Sequence, residues 1–369
     1  MISPNDISAY TDSYFMKARE AAAADSTNPL VVWQIFQKRN GIFCGVGLLK
    51  EILQSADEVW SLEEGAAISP YETTMLVLAR AQSFVEFETV QIGILARCSR
   101  IASNVRRAVE VANGKPVLFF PARFDIPEAQ FYDGYAAAAG GAAACSTEKQ
   151  LEGFNLYRQT NARAAGTMPH ALIAICKADT VRAALAFAKA RPNEDVWALV
   201  DFENDSARIA VEVLQSFKEQ GLKLAGVRLD SSERLVDSGY QKAMETGELS
   251  PDPNPNGVRP GLVLHVRRAL DEAGGREVKI AVSGGFTPDK ISEFESQKIP
   301  VDVYAIGEWF LSGAMAYTSD VVAHLEDSTL IPVSKVGRGF NPNPRLQLVK
   351  GEGKLAKFMA VDIATHRAG

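Results

Sequence analysis

The chain has 369 residues, 47% of them apolar and 23% charged, with a formal net charge of −6; this is enough for a sizeable core and more than one typical domain. The acidic balance and a pI near 5.5 argue against a general binder of nucleic acid or anionic membranes, but leave room for a local basic pocket. No apolar run reaches the roughly 18 residues of a membrane span. The opening Met1-Ile2-Ser3-Pro4-Asn5-Asp6 lacks the basic start and apolar run of a secretory signal, so a cytoplasmic protein is expected.

In chain order, Thr11-Asp12-Ser13-Tyr14 reads as a loop, with a helix from about Phe15 to Ala24 for which Asp12 and Ser13 are good N-cap types. Leu30 to Phe36 is strand-like, Gly41 to Gly47 is glycine-broken, and Val46–Gln54 has helical spacing. Phe84 to Val111 reads as one long helix, closed by Asn113-Gly114 and Pro116. Val117 to Phe120 is a short buried strand. Residues 133–147 then suggest a small-residue helix and a tight loop that brings backbone N–H groups close to a ligand.

From residue 180 a β/α alternation is legible. Helices Thr180–Ala190, Ser206–Glu219, Leu262–Ala273 and Pro288–Gln297 alternate with apolar runs ending at Asp201, Asp230, Ser283-Gly284-Gly285 and Gly307. Nearly continuous apolar strands of this kind mean a parallel sheet buried on both faces. The regular units favour an irregular β/α barrel over an open doubly wound sheet. The fold class expected is therefore α/β: a barrel over residues 116–330 and an α+β domain over 1–115, completed by the tail 331–369. Residues 237–258 read either as a closing flap or as a surface insertion.

The polar groups sit where those strands end. His170, in Gly166-Thr167-Met168-Pro169-His170, is one of four histidines and opens an apolar run; imidazole there serves as acid, base, nucleophile or ligand, or only hydrogen-bonds at a helix start. The glycine turns at Ser283-Gly284-Gly285 and Gly307, each followed by a helix N-terminus, suit a phosphate, or are simply tight barrel turns. Asp201 and Asp230 suit ribose hydroxyls or magnesium, or else cap helices, an account that fits Asp205 better than Asp201. Arg123 reaches a carboxylate or phosphate, or pairs with Asp125. Cys44, Cys98, Cys145 and Cys176 form no C-x-x-C pair and read as reduced, mostly buried thiols, so no structural zinc is expected.

Taken together, Thr11-Asp12-Ser13-Tyr14, Phe87-Glu88-Thr89, Ala102-Ser103-Asn104, Gly140-Gly141, Ser146-Thr147, Gly166-Thr167-Met168-Pro169-His170, Val200 to Asp205, Gly226 to Asp230, Ser283 to Phe286 and Lys335 to Arg338 carry a resemblance in their order. Over nearly its whole length the chain resembles the nicotinate phosphoribosyltransferase family of type II phosphoribosyltransferases. The resemblance implies transfer of a phosphoribosyl group from phosphoribosyl pyrophosphate (PRPP) to nicotinate, with magnesium, in NAD salvage. ATP would be coupled as co-substrate through phosphorylation of His170. It also implies ribose and magnesium contacts from Asp201 and Asp230, pyrophosphate held by Arg228, and the 5′-phosphate held by Ser283, Gly284, Gly285 and Gly307. Arg123, Ser146, Thr147 and Thr167 would face substrate. Tyr14 would stack on the pyridine ring across the interface of a homodimer or higher oligomer with shared active sites. A related enzyme using nicotinamide or quinolinate, or a non-catalytic phosphate-binding barrel, is the alternative.

Overall fold

A computed structural model describes residues 4–166 and 168–359 of the chain, so the expectation for Thr167 falls outside the described residues. The chain divides into two compact units, 1–103 with 313–369, and 104–312. The sequence places these boundaries later, at 115/116 and 330/331. Two observations account for the difference. The strand Tyr317–Glu326 pairs antiparallel with Leu30–Gln37, so it belongs to the first unit's sheet. The last turns of the helix Glu88–Val111 belong to the second unit, where the Arg106 guanidinium donates to the carbonyls of Ala139 and Gly140 at 3.1 Å each.

The first unit is built on a six-stranded antiparallel sheet, ordered Thr329–Pro332, Tyr317–Glu326, Leu30–Gln37, Thr73–Arg80, Glu58–Ser61, Gln347–Lys350. Its central strands, Leu-Val-Val-Trp-Gln-Ile-Phe-Gln and Thr-Thr-Met-Leu-Val-Leu-Ala-Arg, are buried along almost their full length. They therefore read as continuous apolar runs instead of the alternation of a one-sided sheet. The helix Ser13–Ala24 packs against the short helical segments Ala81–Phe84 and Val85–Phe87, and its approach is fixed by Thr11 and Asp12. The Thr11 hydroxyl donates to the Glu86 carbonyl at 2.7 Å, and the Asp12 amide donates to Thr89 Oγ1 at 3.1 Å.

The second unit holds a six-stranded sheet that is parallel throughout, ordered Ala144–Cys145, Val117–Phe119, Val303–Ile306, Lys279–Val282, Gly226–Leu229, Trp197–Leu199. Among the described residues the two outer strands do not pair, so the barrel is left open between them. Helices Thr180–Ala190, Ser206–Glu219, Pro260–Glu272 and Pro288–Ser296 alternate with the strands as the spacing predicts. Three of them are capped by side chains just upstream. Asp179 accepts from the Arg182 amide, Asp205 from that of Arg208, and Thr287 from that of Lys290, satisfying donors the first helical turn leaves open.

Residues 237–258 contain the helix Ser238–Glu245, capped by Asp237 and carrying the buried Tyr240 and Ala243. The segment is pinned by an antiparallel bridge between Val236 and Asn256. Asp237, not Asp230 or Ser231, caps this next helix. The carboxylate of Asp230 is thereby left for other work.

Candidate active site

The carboxyl ends of the parallel strands open into a cleft of about 1120 Å³ whose lining includes Arg123, Ser146, His170, Arg228 and Asp230. The glycine turns contribute Ser283, Gly284, Gly285 and Gly307 to the same wall. Residues far apart in sequence meet here because all of these but His170, which opens the helix His170–Ile175, lie at or just beyond the carboxyl end of a strand, where a parallel sheet with covering helices places its sites.

His170 begins the helix His170–Ile175, yet Pro169 occupies the cap position and the imidazole turns away from the helix. Nε2 lies 3.2 and 3.1 Å from the two carboxylate oxygens of Asp201. The Asp201 side chain is only 8% exposed, whereas that of His170 is 45% exposed. The hydrogen bond to Asp201 raises the imidazole pKa above its ordinary value; burial works against the rise, Asp230 adds to it and Arg228 opposes it. The result is an oriented imidazole whose other nitrogen is left for chemistry.

Arg228 and Asp230 leave the same strand on the same side and stand 4.0 Å apart. Arg228 is 14% exposed, and its Nε makes no hydrogen bond among the described residues. Burial lowers its pKa, with Arg123 acting in the same direction and Asp230 and Asp201 against it. Guanidinium nevertheless stays charged in proteins, so this is a buried cation with a spare donor, a group that welcomes an anion. Asp230 Oδ1 accepts the Ser283 hydroxyl at 2.7 Å, tying the acidic strand end to the first glycine turn.

In that turn Gly284 and Gly285 take φ of +81° and +66°, the left-handed region that glycine enters without penalty. The amides of Gly284, Gly285 and Phe286 donate to no group among the described residues. At Gly307 a Cβ would stand 2.8 Å from the Phe124 ring, so backbone and aromatic approach closely there. Open amides on consecutive residues before a helix form an anion-binding nest.

Other sequence candidates are differently placed. The Ser146 amide and hydroxyl both donate to Gln150 Oε1 at 3.2 Å. Thr147 is absorbed by structure: it accepts from the Gln150 amide as an N-cap and donates to Gln130 Oε1. Arg123 is exposed, with its guanidinium 5.4 Å from the Phe124 ring centroid. Tyr14 lies in the first unit, 60% exposed, its hydroxyl donating to Asp12 at 3.1 Å. Glu203 holds the start of helix Thr180–Ala190 through the amide and hydroxyl of Thr180. Among the described residues no cluster of three or more acidic, histidine or cysteine groups is arranged to hold a metal.

Sequence reasoning missed Lys290 and Glu233. Lys290 is 10% exposed, donates to the Gly284 carbonyl at 3.3 Å and lies 4.5 Å from the Phe286 ring centroid. A lysine in the first turn of a helix opposes the helix dipole, and that misfit was the available signal. Glu233, three residues beyond Asp230, lines the cleft 3.9 Å from Lys290.

Comparison with known proteins bears on this arrangement. Residues 12–99 match the family model described as quinolinate phosphoribosyl transferase, N-terminal domain. A nicotinate phosphoribosyltransferase of Mycobacterium tuberculosis is 25% identical over 360 residues, covering 88% of this chain and 73% of the relative. One from Bacillus subtilis is 24% identical over 310 residues, covering 81% of this chain and 55% of the relative. Among solved structures, nicotinate-nucleotide pyrophosphorylase from Pyrococcus furiosus superposes with a TM-score of 0.75 at 25% identity, covering 93% of this chain and 81% of that one. Human nicotinic acid phosphoribosyltransferase shares the fold at a TM-score of 0.63 and 15% identity, covering 88% and 77%.

Proposed function

We propose that the chain, which is similar to nicotinate phosphoribosyltransferases, is a pentosyltransferase of that family that joins nicotinate to PRPP, forming nicotinate mononucleotide and pyrophosphate in the salvage of pyridine nucleotides. One observation carries the reading: a buried arginine with a spare donor, Arg228, stands beside Asp230 and lines the same cleft as the open amides of a glycine turn. That set matches a phosphorylated, pyrophosphorylated sugar. The Gly284-Gly285 turn and Gly307 receive the 5′-phosphate, Asp230 the ribose hydroxyls, and Arg228 the pyrophosphate.

Displacement at the anomeric carbon passes through an oxocarbenium-like state, and charge grows on the departing pyrophosphate. Arg228 is positioned to hold that charge in a low-dielectric setting, where fixed cations count most. The ring nitrogen of nicotinate attacks with its own lone pair, so the step calls for no strong base. Among the described residues no third acidic, histidine or cysteine ligand joins Asp201 and Asp230, a donor set that fits a magnesium ion carried in on substrate phosphates better than a resident one. Magnesium bound there would supply further neutralisation of the leaving group.

The His170–Asp201 pair supports a coupling of the reaction to ATP. With Nε2 turned to Asp201, Nδ1 keeps its lone pair and is the atom left to attack the γ-phosphorus of ATP. The new N–P bond forms as the bond to ADP breaks, and water later cleaves the phosphohistidine to phosphate. Tyr14, exposed on its helix, is available to a second copy, in keeping with a homodimer or larger assembly of shared sites. Among the described residues no helix is long and apolar enough to cross a membrane.

A second reading, quinolinate as the base, is favoured by the name of the matching N-terminal model. Quinolinate brings two carboxylates. Among the described residues, the cationic groups lining the cleft apart from His170 are Arg123 and Arg228, and pyrophosphate claims the second. That count supports nicotinate. Purified protein offered PRPP, magnesium and each of nicotinate, nicotinamide and quinolinate separately is expected to convert nicotinate; conversion of another base alone would move the specificity.

A further inference from the structure

The turn assigned to the 5′-phosphate already carries an anion. Glu233 lies across it: a Cβ built on Gly285 would stand 2.1 Å from Glu233 Oε1, so the carboxylate rests against the backbone of the turn. The same carboxylate is 3.9 Å from Lys290 Nζ, whose own hydrogen bond runs to the Gly284 carbonyl. Lys290 is nearly buried against Phe286, while the Glu233 side chain is 64% exposed. The cation is thus fixed and the anion is free to leave. The amides of Gly284, Gly285 and Phe286 donate to no group among the described residues.

The stretch bearing Glu233 is anchored at its far end. The Gly257 amide donates to the Leu235 carbonyl at 2.8 Å, and Val236 bridges to Asn256. Gly257 takes φ of +73°, and a Cβ there would press to 3.1 Å on the Glu233 backbone. A larger residue at 257 would push Glu233 out of position. The backbone of 233 is therefore held while its side chain swings.

We infer that Glu233 is a built-in occupant of the phosphate turn, a carboxylate that sits on Gly285 beside Lys290 and is displaced when the substrate phosphate arrives. Lys290 is then a positioning residue: it braces Gly284 from below and exchanges one anionic neighbour for another. The device tunes selectivity, because a weakly charged ligand cannot repay the displacement and a phosphate can. A single exposed carboxylate contributes modestly, as exposed charge pairs do. This inference rests on the assignment of the glycine turn to PRPP.

The test is a calorimetric titration of the full chain with PRPP and magnesium, for wild type, Glu233→Gln, Lys290→Met and, as a control for net charge, the exposed Glu293→Gln. Glu233→Gln is expected to tighten binding by roughly three- to tenfold and to lower KM for PRPP with kcat unchanged, the mark of a ground-state effect. Lys290→Met is expected to weaken binding, and Glu293→Gln to leave it as it is. Wild-type binding with Glu233→Gln unchanged or weaker would overturn the inference and leave the proposed function standing. Failure of the wild type itself to bind PRPP would overturn both.

Discussion

Asp201 holds His170 in a fixed orientation, and the hydrogen bond between them raises the imidazole pKa. Replacing Asp201 by Asn should let the His170 imidazole fall back toward its ordinary value of about 6.5; NMR titration of the ring protons checks this, and an unchanged midpoint would contradict it. The sign of the linked stability follows. A raised histidine pKa stabilises the fold below the ordinary value, and that contribution is lost as pH rises through the higher folded value. Glu88 in the first unit shows the opposite case. Burial first, then Asp320 and Asp12, lift its carboxyl from 4.5 to about 7. An acid whose folded pKa is raised costs stability once it ionises, so stability should decline between those two values as pH increases. Glu88→Gln should therefore unfold at higher urea than wild type at about pH 8, by roughly 1–2 kcal/mol after allowance for solvent screening, and show no gain at about pH 4. Equal midpoints at the higher pH would count against it.

At the scale of elements, the glycines that matter most for stability lie away from the cleft. Helices Gln130–Gly140 and Glu148–Arg158 pack so closely that a Cβ on Gly134 would lie 1.8 Å from the Gln150 carbonyl oxygen, and one on Gly153 2.0 Å from that of Phe131. Gly134→Ala should force the pair apart at a cost of about 2–4 kcal/mol, read by denaturant unfolding; a loss below about 0.5 kcal/mol would show that the helices can slide. The first of these helices was legible as a small-residue run; the second and the contact between them were not, because closeness between two helices is a tertiary fact. Helices Thr180–Ala190 and Ser206–Glu219 were readable to the residue from amphipathic period and caps. The helix Ser238–Glu245 was hidden by the Pro-, Asn- and Gly-rich stretch from Gly247 to Gly257 that follows it. The glycine turns, Arg228 and Asp230 could be read because they end apolar runs. Lys290 and Glu233 could not, because their meeting depends on how two strand-end loops approach each other.

For the whole molecule, the parallel sheet does the organising work. It gathers Arg123, His170, Arg228, Asp230, Ser283 and Gly307 from positions spread over nearly half the chain onto one cleft. The sheet's open edge was not visible in the sequence, since identical β/α spacing serves closed and open barrels alike. The boundary between the units was misplaced for a related reason: a strand near residue 320 carries no local mark of which sheet it joins. What remains is whether the gathered groups perform the transfer. The most direct measurement is nicotinate mononucleotide formation by the purified full chain from nicotinate, PRPP and magnesium, followed with and without ATP. The account predicts product and pyrophosphate in equal amounts, formed faster with ATP, with the acceleration lost in His170→Ala. PRPP bound but never converted, with any pyridine base, would contradict it.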